Sequence, residues 1–509
     1  MQCDYKSVWA DYAYNDDNRF TTNSELKRRF SEGDFGAPTA SESGIPLLSD
    51  GRRFVVNNET LHTIIFGESG CKKTRSAVLP ALASMVRAGE SVFVTDVKGE
   101  ISGNAKLREL LELKGYKTVF LDFRSFCADG FNLLHYPYRT YKQGKKEEGL
   151  AEAAQLIAGL RAGYADSKDP YWDNSAESLL NAVIEILFDV GASNRGFDGA
   201  VNFATVASFM TGTALEKLGE LFNSDYRTST SGAILTMRSV GDLPDGTRGC
   251  VASTAAAMLK DFTRQPSLTK MLSASTFTVD RMYEEPTCVF LIVPDETTAC
   301  DRIAGLMLDT FYGRLIKIFG ERYQNAGSAP RRINFMADEF CNVRISDMAG
   351  KISASRSRSM RWFLICQSKA QLERAYPDEW PAIIGNCKNV LFLQSSDPSM
   401  LEYISALCGR TYVTEAAGGE PLVSAERLRC LRQTRADKEA VYIRGELKYR
   451  ALLLDFDRYA IAGVSGSKRY ALPERMMGAG FRRYTPDRLM DDLKLSVIKP
   501  LFSAMKRSA

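Results

Sequence analysis

Seven short, almost unbroken apolar runs constrain this chain more than any other feature: LHTIIF (61–66), SVFVTD (91–96), KTVFLDF (117–123), TCVFLIVP (287–294), INFMA (333–337), RWFLIC (361–366) and NVLFLQ (389–394). Runs of this kind suit strands buried on both faces. Between the first three lie amphipathic stretches, TRSAVLPALASMVRAG (74–89) and a helix to about Leu113. Strand, helix, strand, helix, strand implies parallel pairing with helical crossovers, an α/β fold around a mostly parallel central sheet.

The alternation lapses between 171 and about 281, where Trp172, Ala176, Leu179, Leu180, Val183 and Leu187 follow helical spacing. This stretch reads as an all-α insertion (171–281), after which the same sheet resumes. The expected organisation is a lead-in (1–60), an α/β domain in two pieces (61–170 and 282–466), the insertion, and a basic tail (467–509). FGAPTASESGIPLLSDG in the lead-in is turn-rich, and VYIRGELKYRALLLD (441–455) reads as a terminal hairpin. The tail carries ten Lys or Arg against four acids.

Composition excludes several classes. Apolar residues are 45% and charged residues 25% of 509, ordinary globular usage. The formal net charge of +4 is too small to force a nucleic-acid reading, because a basic patch acts by position. Two histidines, His62 and His135, leave little room for imidazole catalysis or a two-histidine zinc site. Eleven scattered cysteines without a C-x-x-C pair suggest reduced thiols in a cytosol. The polar start lacks the pattern of a secretory signal, and the longest uncharged stretch, 199–215, is interrupted by Asn202, Thr205, Ser208, Thr211 and Thr213, so no membrane-spanning segment is expected.

Directly after LHTIIF stands Gly67-Glu68-Ser69-Gly70-Cys71-Lys72-Lys73-Thr74, then a helix. In the P-loop pattern G-x-x-x-x-G-K-[ST], glycines let successive backbone N–H groups curl around phosphates at the positive end of a helix. Aligned to it, Gly67 opens the loop, Lys73 reaches the β and γ phosphates of ATP, and Thr74 holds Mg²⁺. The candidate nucleotide contacts are Gly67, Ser69, Gly70, Cys71, Lys72, Lys73, Thr74 and Arg75. Lys72 stands where the second motif glycine belongs. A left-handed backbone there costs a side chain roughly 1–2 kcal/mol, and a second ammonium either crowds or assists the phosphates. The loop therefore favours nucleotide binding over fast hydrolysis. A second acidic signature follows INFMA: Asp338 and Glu339. In a P-loop ATPase the first acid holds Mg²⁺ through its water shell and the second activates the attacking water.

With GESGCKKTR, VTDVKGE, FNLL (131), KDPYWDNSAESLL (168), VFLIVPDE (289), MADEF (336), RSR (356), ICQS (365) and IRGELKYRA in that order, residues 60 to 460 resemble the type IV coupling proteins, the TraG/TraD-like ATPases of conjugation and type IV secretion. The resemblance implies a RecA-like P-loop domain interrupted by an all-α domain. It makes Lys73 and Thr74 the Walker A pair and Asp338 and Glu339 the Walker B pair. Gln367 either senses the γ-phosphate or finishes a strand. Arg356 and Arg358 supply an arginine finger to a neighbouring subunit or form a solvated basic turn. Asp96 and Lys98 support the site from behind, or Asp96 caps a helix. The implied partners are a relaxase or secreted protein substrate, DNA bound without sequence preference, channel components, and further copies in a hexamer. The family commonly carries N-terminal transmembrane helices; either this chain is a soluble variant or its membrane segment was left off, and the expected place is cytoplasmic, at the inner face of the membrane. Two other readings stay open: a hydrolysis-impaired substrate receptor of the same fold, and a DNA translocase unconnected to secretion.

Overall fold

The computed structural model describes residues 18–37, 40–126, 128–162, 169–193, 197–225, 231–294, 296, 300–411 and 419–471. Most of the expected basic tail, from 472 on, lies outside them, as do residues 1–17 of the lead-in and Lys168. The described residues form two compact units. One takes 18–119, 280–292 and 316–471; the other takes 120–279 and 293–315.

The first unit is built on a nine-stranded sheet, whose edge strand runs on past 119 into the second. Its strands are β1 (Thr63–Phe66), β2 (Ser91–Asp96), β3 (Lys117–Asp122), β4 (Thr287–Ile292), β5 (Ile333–Ala337), β6 (Met360–Cys366), β7 (Asn389–Phe392), β8 (Asp437–Arg444) and β9 (Leu447–Leu454). Their spatial order is β9-β8-β7-β1-β6-β5-β2-β4-β3. From β7 to β4 all pairings are parallel, and the hairpin β8–β9 adds antiparallel to β7. Every residue of β1, β2, β4, β5, β6 and β7 is buried, as expected of strands covered on both faces.

Register is fixed by side chains stacked across neighbouring strands. Phe93, Phe335 and Trp362 are Cα partners in β2, β5 and β6, and their rings stack at centroid distances of 5.1 Å and 4.1 Å. At the N-terminal edge of the same strands lies a buried polar cluster. Arg361 donates to Glu90 Oε2 at 2.7 Å and to Asn334 Oδ1 at 2.5 Å, and Asn334 donates to Glu90 Oε2 at 2.9 Å. Ser43, from the segment read as lead-in, donates to Glu90 Oε1 at 2.7 Å. Burial pulls the Arg361 guanidinium down to about 10, whereas for Glu90 the charges of Arg361 and Arg332 outweigh burial and hold its carboxyl low.

The described part of the lead-in is therefore structured. It contributes the helix Asn23–Arg29, capped reciprocally by Thr22 and Glu25, and a small antiparallel sheet of Ser31–Asp34, Leu48–Ser49 and Arg53–Val56. Its turn-rich sequence hid strands of two to four residues.

The second unit is helical, with Lys146–Ala162, Pro170–Ser193 and Asp245–Met258 among its longer helices. By contacts it takes in 120–170 and 293–315 together with the stretch 171–279. The residues ahead of 171 pack on its helices: Phe131 lies against Phe277 and Phe311, Tyr138 donates to Asp198 at 2.7 Å, and Asn132 donates to the Val201 carbonyl at 2.6 Å. Among the described residues no helix is long and apolar enough to cross a membrane.

The polar cluster gives a stability prediction. Arg361→Met removes one of the two arginines that compensate the buried Glu90, leaving Arg332 at 3.3 Å, and should destabilise the sheet unit by about 3 kcal/mol in chemical denaturation followed by tryptophan fluorescence. Because Glu90's folded pKa lies below its unfolded value, its stabilising contribution is present above the ordinary carboxylate range and is lost as pH falls through the lowered pKa. The stability gap between wild type and Glu90→Gln should accordingly narrow in acid; a gap independent of pH would show that the Glu90 charge contributes nothing.

Candidate functional site

Parallel register brings the chemistry-bearing strand ends to one edge. Phe66 of β1 pairs with Cys366 of β6, so Gly67 and Gln367 leave the sheet side by side. Ala337 of β5 pairs with Leu364 of β6 and with Thr95 of β2, so Asp338 and Asp96 emerge next to each other. β6 stands between the strand that feeds the loop and the strand that ends in the two acids.

The loop is held at its start by its neighbours: Gly67 N–H donates to the Cys366 carbonyl at 3.1 Å and Glu68 N–H to the Gln394 carbonyl at 3.0 Å. The Glu68 carboxylate also accepts from Ser396 N–H at 2.9 Å and from the Ser396 hydroxyl. Gly67 has no room for a side chain, since a Cβ there would sit 2.6 Å from Cys71 Sγ. Gly70 is left-handed at φ +80, and so is Lys72, at φ 65 and ψ 24. Lys72 thus adopts the backbone that glycine adopts without strain. A π-helical turn, Lys73–Val78, follows and continues into the helix Leu79–Arg87. The buried Lys73 ammonium reaches back across its own loop to the carbonyls of Gly67 (2.6 Å) and Glu68 (3.2 Å). Thr74 begins the helix beside it. Backbone N–H groups at such a turn present a partial positive charge to an anion.

The acids face this cation. Burial, then the charges of Glu339 and Asp96, push the Asp338 carboxyl up to about 7, and Lys73 only partly offsets them. Its carbonyl accepts from Thr95 Oγ1 at 2.8 Å. Asp96 Oδ2 accepts from Ser102 N–H at 2.6 Å, whereas Oδ1 is buried with no hydrogen-bond partner. Asp96 therefore both caps a turn and adds negative charge behind Asp338. Glu339 is strained into the left-handed region at φ 48, and its Oε2 accepts from Gln367 Nε2 at 3.0 Å. Among the described residues no three His, Cys, Asp or Glu converge to cage a metal by themselves. Mg²⁺ does not need such a cage: it keeps its waters and takes one or two protein groups plus substrate phosphates. Thr74 and Asp338, with the unpartnered Asp96 oxygen behind them, fit that demand.

Lys73, Thr74, Asp338, Glu339 and Gln367 are thus gathered at one edge. Others named from sequence are elsewhere. Lys72 Nζ points to Asp455 (3.1 Å) and the Arg435 carbonyl (2.9 Å), and Arg75 makes a two-pronged pair with Asp455 at 2.9 Å and 2.6 Å. Lys98 is exposed past the end of β2. Arg356 and Arg358 form a turn just before β6, at the opposite end of that strand from Gln367; Arg356 is exposed, and Arg358 donates to the Ala354 carbonyl at 2.7 Å. Sequence reasoning missed Asp455 and Gln433, whose Nε2 donates to the Gly70 carbonyl at 3.2 Å. The only signal was that the terminal hairpin ends in an aspartate.

Comparison with known proteins bears on the family and the fold. The chain is similar to a sequence named "Probable conjugal transfer protein TraG" of Sinorhizobium fredii, 24% identical over 369 residues, which are 69% of this chain and 53% of that protein. The chain thus spans about half the length of that relative. Its fold is similar to that of the bacterial conjugative coupling protein TrwB. The unbound monoclinic form is 13% identical with a TM-score of 0.58, covering 91% of this chain and 95% of the other. The TrwB complex with the ATP analogue ADPNP is 14% identical with a TM-score of 0.58, covering 91% and 96%; that with ADP and Mg²⁺ is 13% identical with a TM-score of 0.58, covering 89% and 95%. The model of the family described as Type IV secretory system Conjugative DNA transfer matches residues 20–433. With a RecA-like P-loop sheet carrying Lys73 and Thr74 opposite Asp338 and Glu339, the chain belongs to this family, the type IV coupling proteins.

Proposed function

We propose that this chain binds Mg-ATP at loop 67–75, hydrolyses it, and uses the cycle to hand a DNA–protein or protein substrate to a type IV secretion channel. The observation that carries the reading is the meeting of Lys73, Asp338, Glu339 and Gln367 at one edge of the sheet in a chain of the conjugative DNA transfer family. Lys73 exchanges its two loop carbonyls for phosphate oxygens. Thr74 and Asp338 would hold Mg²⁺, whose charge would offset the burial and the neighbouring acids that raise Asp338. Glu339, oriented by Gln367, accepts the proton of the attacking water. TrwB, whose fold this chain shares, is known in complex with ADPNP and with ADP and Mg²⁺, which supports a nucleotide at this loop.

Arg356 and Arg358 lie a full seven-residue strand from Gln367, about 20 Å at ~3.3 Å per residue, so a role at phosphate requires a neighbouring subunit. The proposed assembly is a ring, hexameric as the family resemblance implies, working at the inner face of the cell membrane. DNA is held through its backbone, sequence-tolerant and salt-sensitive. A hydrolysis-impaired receptor would need Lys72 to spoil the loop, and its left-handed backbone speaks against that. A translocase unconnected to secretion would use the same site; the protein that co-purifies separates the two.

Three outcomes are expected. Glu339→Gln should lower ATP turnover about 100-fold or more while Mg-ATP still binds in calorimetry; equal turnover would make Glu339 a mere strand end. Asp338 has a folded pKa above its unfolded one, so the folded state holds a proton that the unfolded state has lost, and its contribution to stability falls as pH rises from about 4 to 7 and then levels. The melting temperature of Asp338→Asn should therefore overtake wild type across that window, and Mg-ATP should raise the wild-type value but not the variant's. Finally, wild type mixed with the Arg356→Ala, Arg358→Ala double variant should lose activity beyond simple dilution, with specific activity rising with protein concentration. Proportional loss at concentration-independent activity would rule out the shared site.

A further inference from the structure

Lys72 ought to be the weak point of the loop, yet its surroundings are built around it. Its backbone is left-handed, the conformation that L side chains resist. Its carbonyl accepts from Ser76 N–H at 2.9 Å, so this strained residue sets the first turn of the helix. Its ammonium is drawn away from the phosphate side by Asp455 and the Arg435 carbonyl. Three residues on, Arg75 forks onto the same carboxylate through Nε and Nη2, and Nη2 also reaches Asp457 at 2.5 Å. One carboxylate therefore grips the loop on both sides of Lys73 and Thr74.

The Lys72 arm of the grip is not a loose surface pair, although the Arg75 side chain is 43% exposed. The Asp455 side chain is 6% exposed and that of Lys72 18%. Asp455 is itself fixed to the end of the hairpin, its N–H donating to the Ala436 carbonyl at 2.8 Å and its Oδ1 accepting from Asp457 N–H at 3.2 Å. Burial would raise its carboxyl, but the hydrogen bonds from Arg75 and Lys72 outweigh this and hold it at about 2, so it stays charged. Gln433, two residues before Arg435, adds a separate tie to the Gly70 carbonyl.

We propose that Asp455 is a positioning residue for the phosphate loop, holding Lys72 in the left-handed turn and clamping Arg75, so that Lys73 and Thr74 are presented between two fixed points. The clamp does here what conformational freedom does where the motif has glycine. It also ties the loop to the hairpin β8–β9, so that a displacement of the hairpin is transmitted to the nucleotide site. This inference rests on the nucleotide reading above.

The test is a double-mutant cycle on Mg-ATP affinity, with amide hydrogen exchange of residues 67–74 measured without nucleotide. Asp455→Asn should weaken Mg-ATP binding about tenfold and speed exchange in the loop. Lys72→Gly, which needs no clamp to reach the left-handed turn, should suppress most of that loss when combined with Asp455→Asn. Arg75→Gln probes the other prong and should weaken binding in the same direction. An Asp455→Asn penalty equally large with Gly at position 72, or no penalty at all, would overturn the clamp while leaving nucleotide binding intact. Wild type that binds no Mg-ATP would overturn the nucleotide reading and the positioning role with it, whatever the exchange rates show.

Discussion

The parallel register of β1, β6 and β5 is the constraint on which the rest of the sheet unit depends. A slip of one residue in any of these strands would turn every side chain to the opposite face and carry Gln367 or Asp338 away from the loop. Two features oppose such a slip. The stacked rings of Phe93, Phe335 and Trp362 hold the middle of the strands, and the Glu90–Arg361–Asn334 cluster locks their N-terminal edge. With two levels fixed, the third can carry strain. That is where the left-handed residues Lys72 and Glu339 are found, beside a carboxyl kept from its ordinary pKa. Strained residues persist where the surroundings over-determine them.

The charges of the site are arranged to be incomplete. Asp96, Asp338 and Glu339 crowd together; burial, and after it the charges of Glu339 and Asp96, raise the Asp338 carboxyl, and Lys73 only partly offsets them. A divalent cation at the proposed site would relieve the acids, and phosphates would give Lys73 and the loop N–H groups new partners. Neither half is comfortable without the other, so metal and nucleotide are expected to bind in a coupled way rather than one after another.

How much of this was legible in the sequence depended on the range of the interaction. The strands of the central sheet, the loop and the two acids are written in short contiguous segments, and the parallel fold follows from their apolar runs. Even the left-handed turn at Lys72 could be reasoned from the glycine it replaces. Asp455 could not, because it lies 383 residues away and looks like the polar end of a hairpin. The sequence pattern starts the all-α stretch at 171, while contacts group 120–279 together, for a related reason: Phe131, Asn132 and Tyr138 follow a strand and look like part of the sheet domain until their partners at 198, 201, 277 and 311 are known. The small strands of the lead-in were too short to leave a periodic signal.

The substitution at position 72 shows how a motif can be broken without breaking its geometry. Glycine is favoured there because a left-handed backbone costs any other residue roughly 1–2 kcal/mol. An exposed ion pair, worth well under that in most cases, would not offset the cost. A pair shielded from solvent and backed by a two-pronged arginine is of the right size to do so, since charge-assisted hydrogen bonds are about twice as strong as neutral ones. The cost of the side chain is also its usefulness, for a glycine has nothing with which to hold Asp455. Where glycine makes the loop independent of its surroundings, lysine makes it depend on them, and the loop's conformation becomes tied to the position of the hairpin that carries Asp455. For the proposed conversion of nucleotide binding into movement of a substrate, a phosphate loop mechanically joined to a neighbouring element is a physical route.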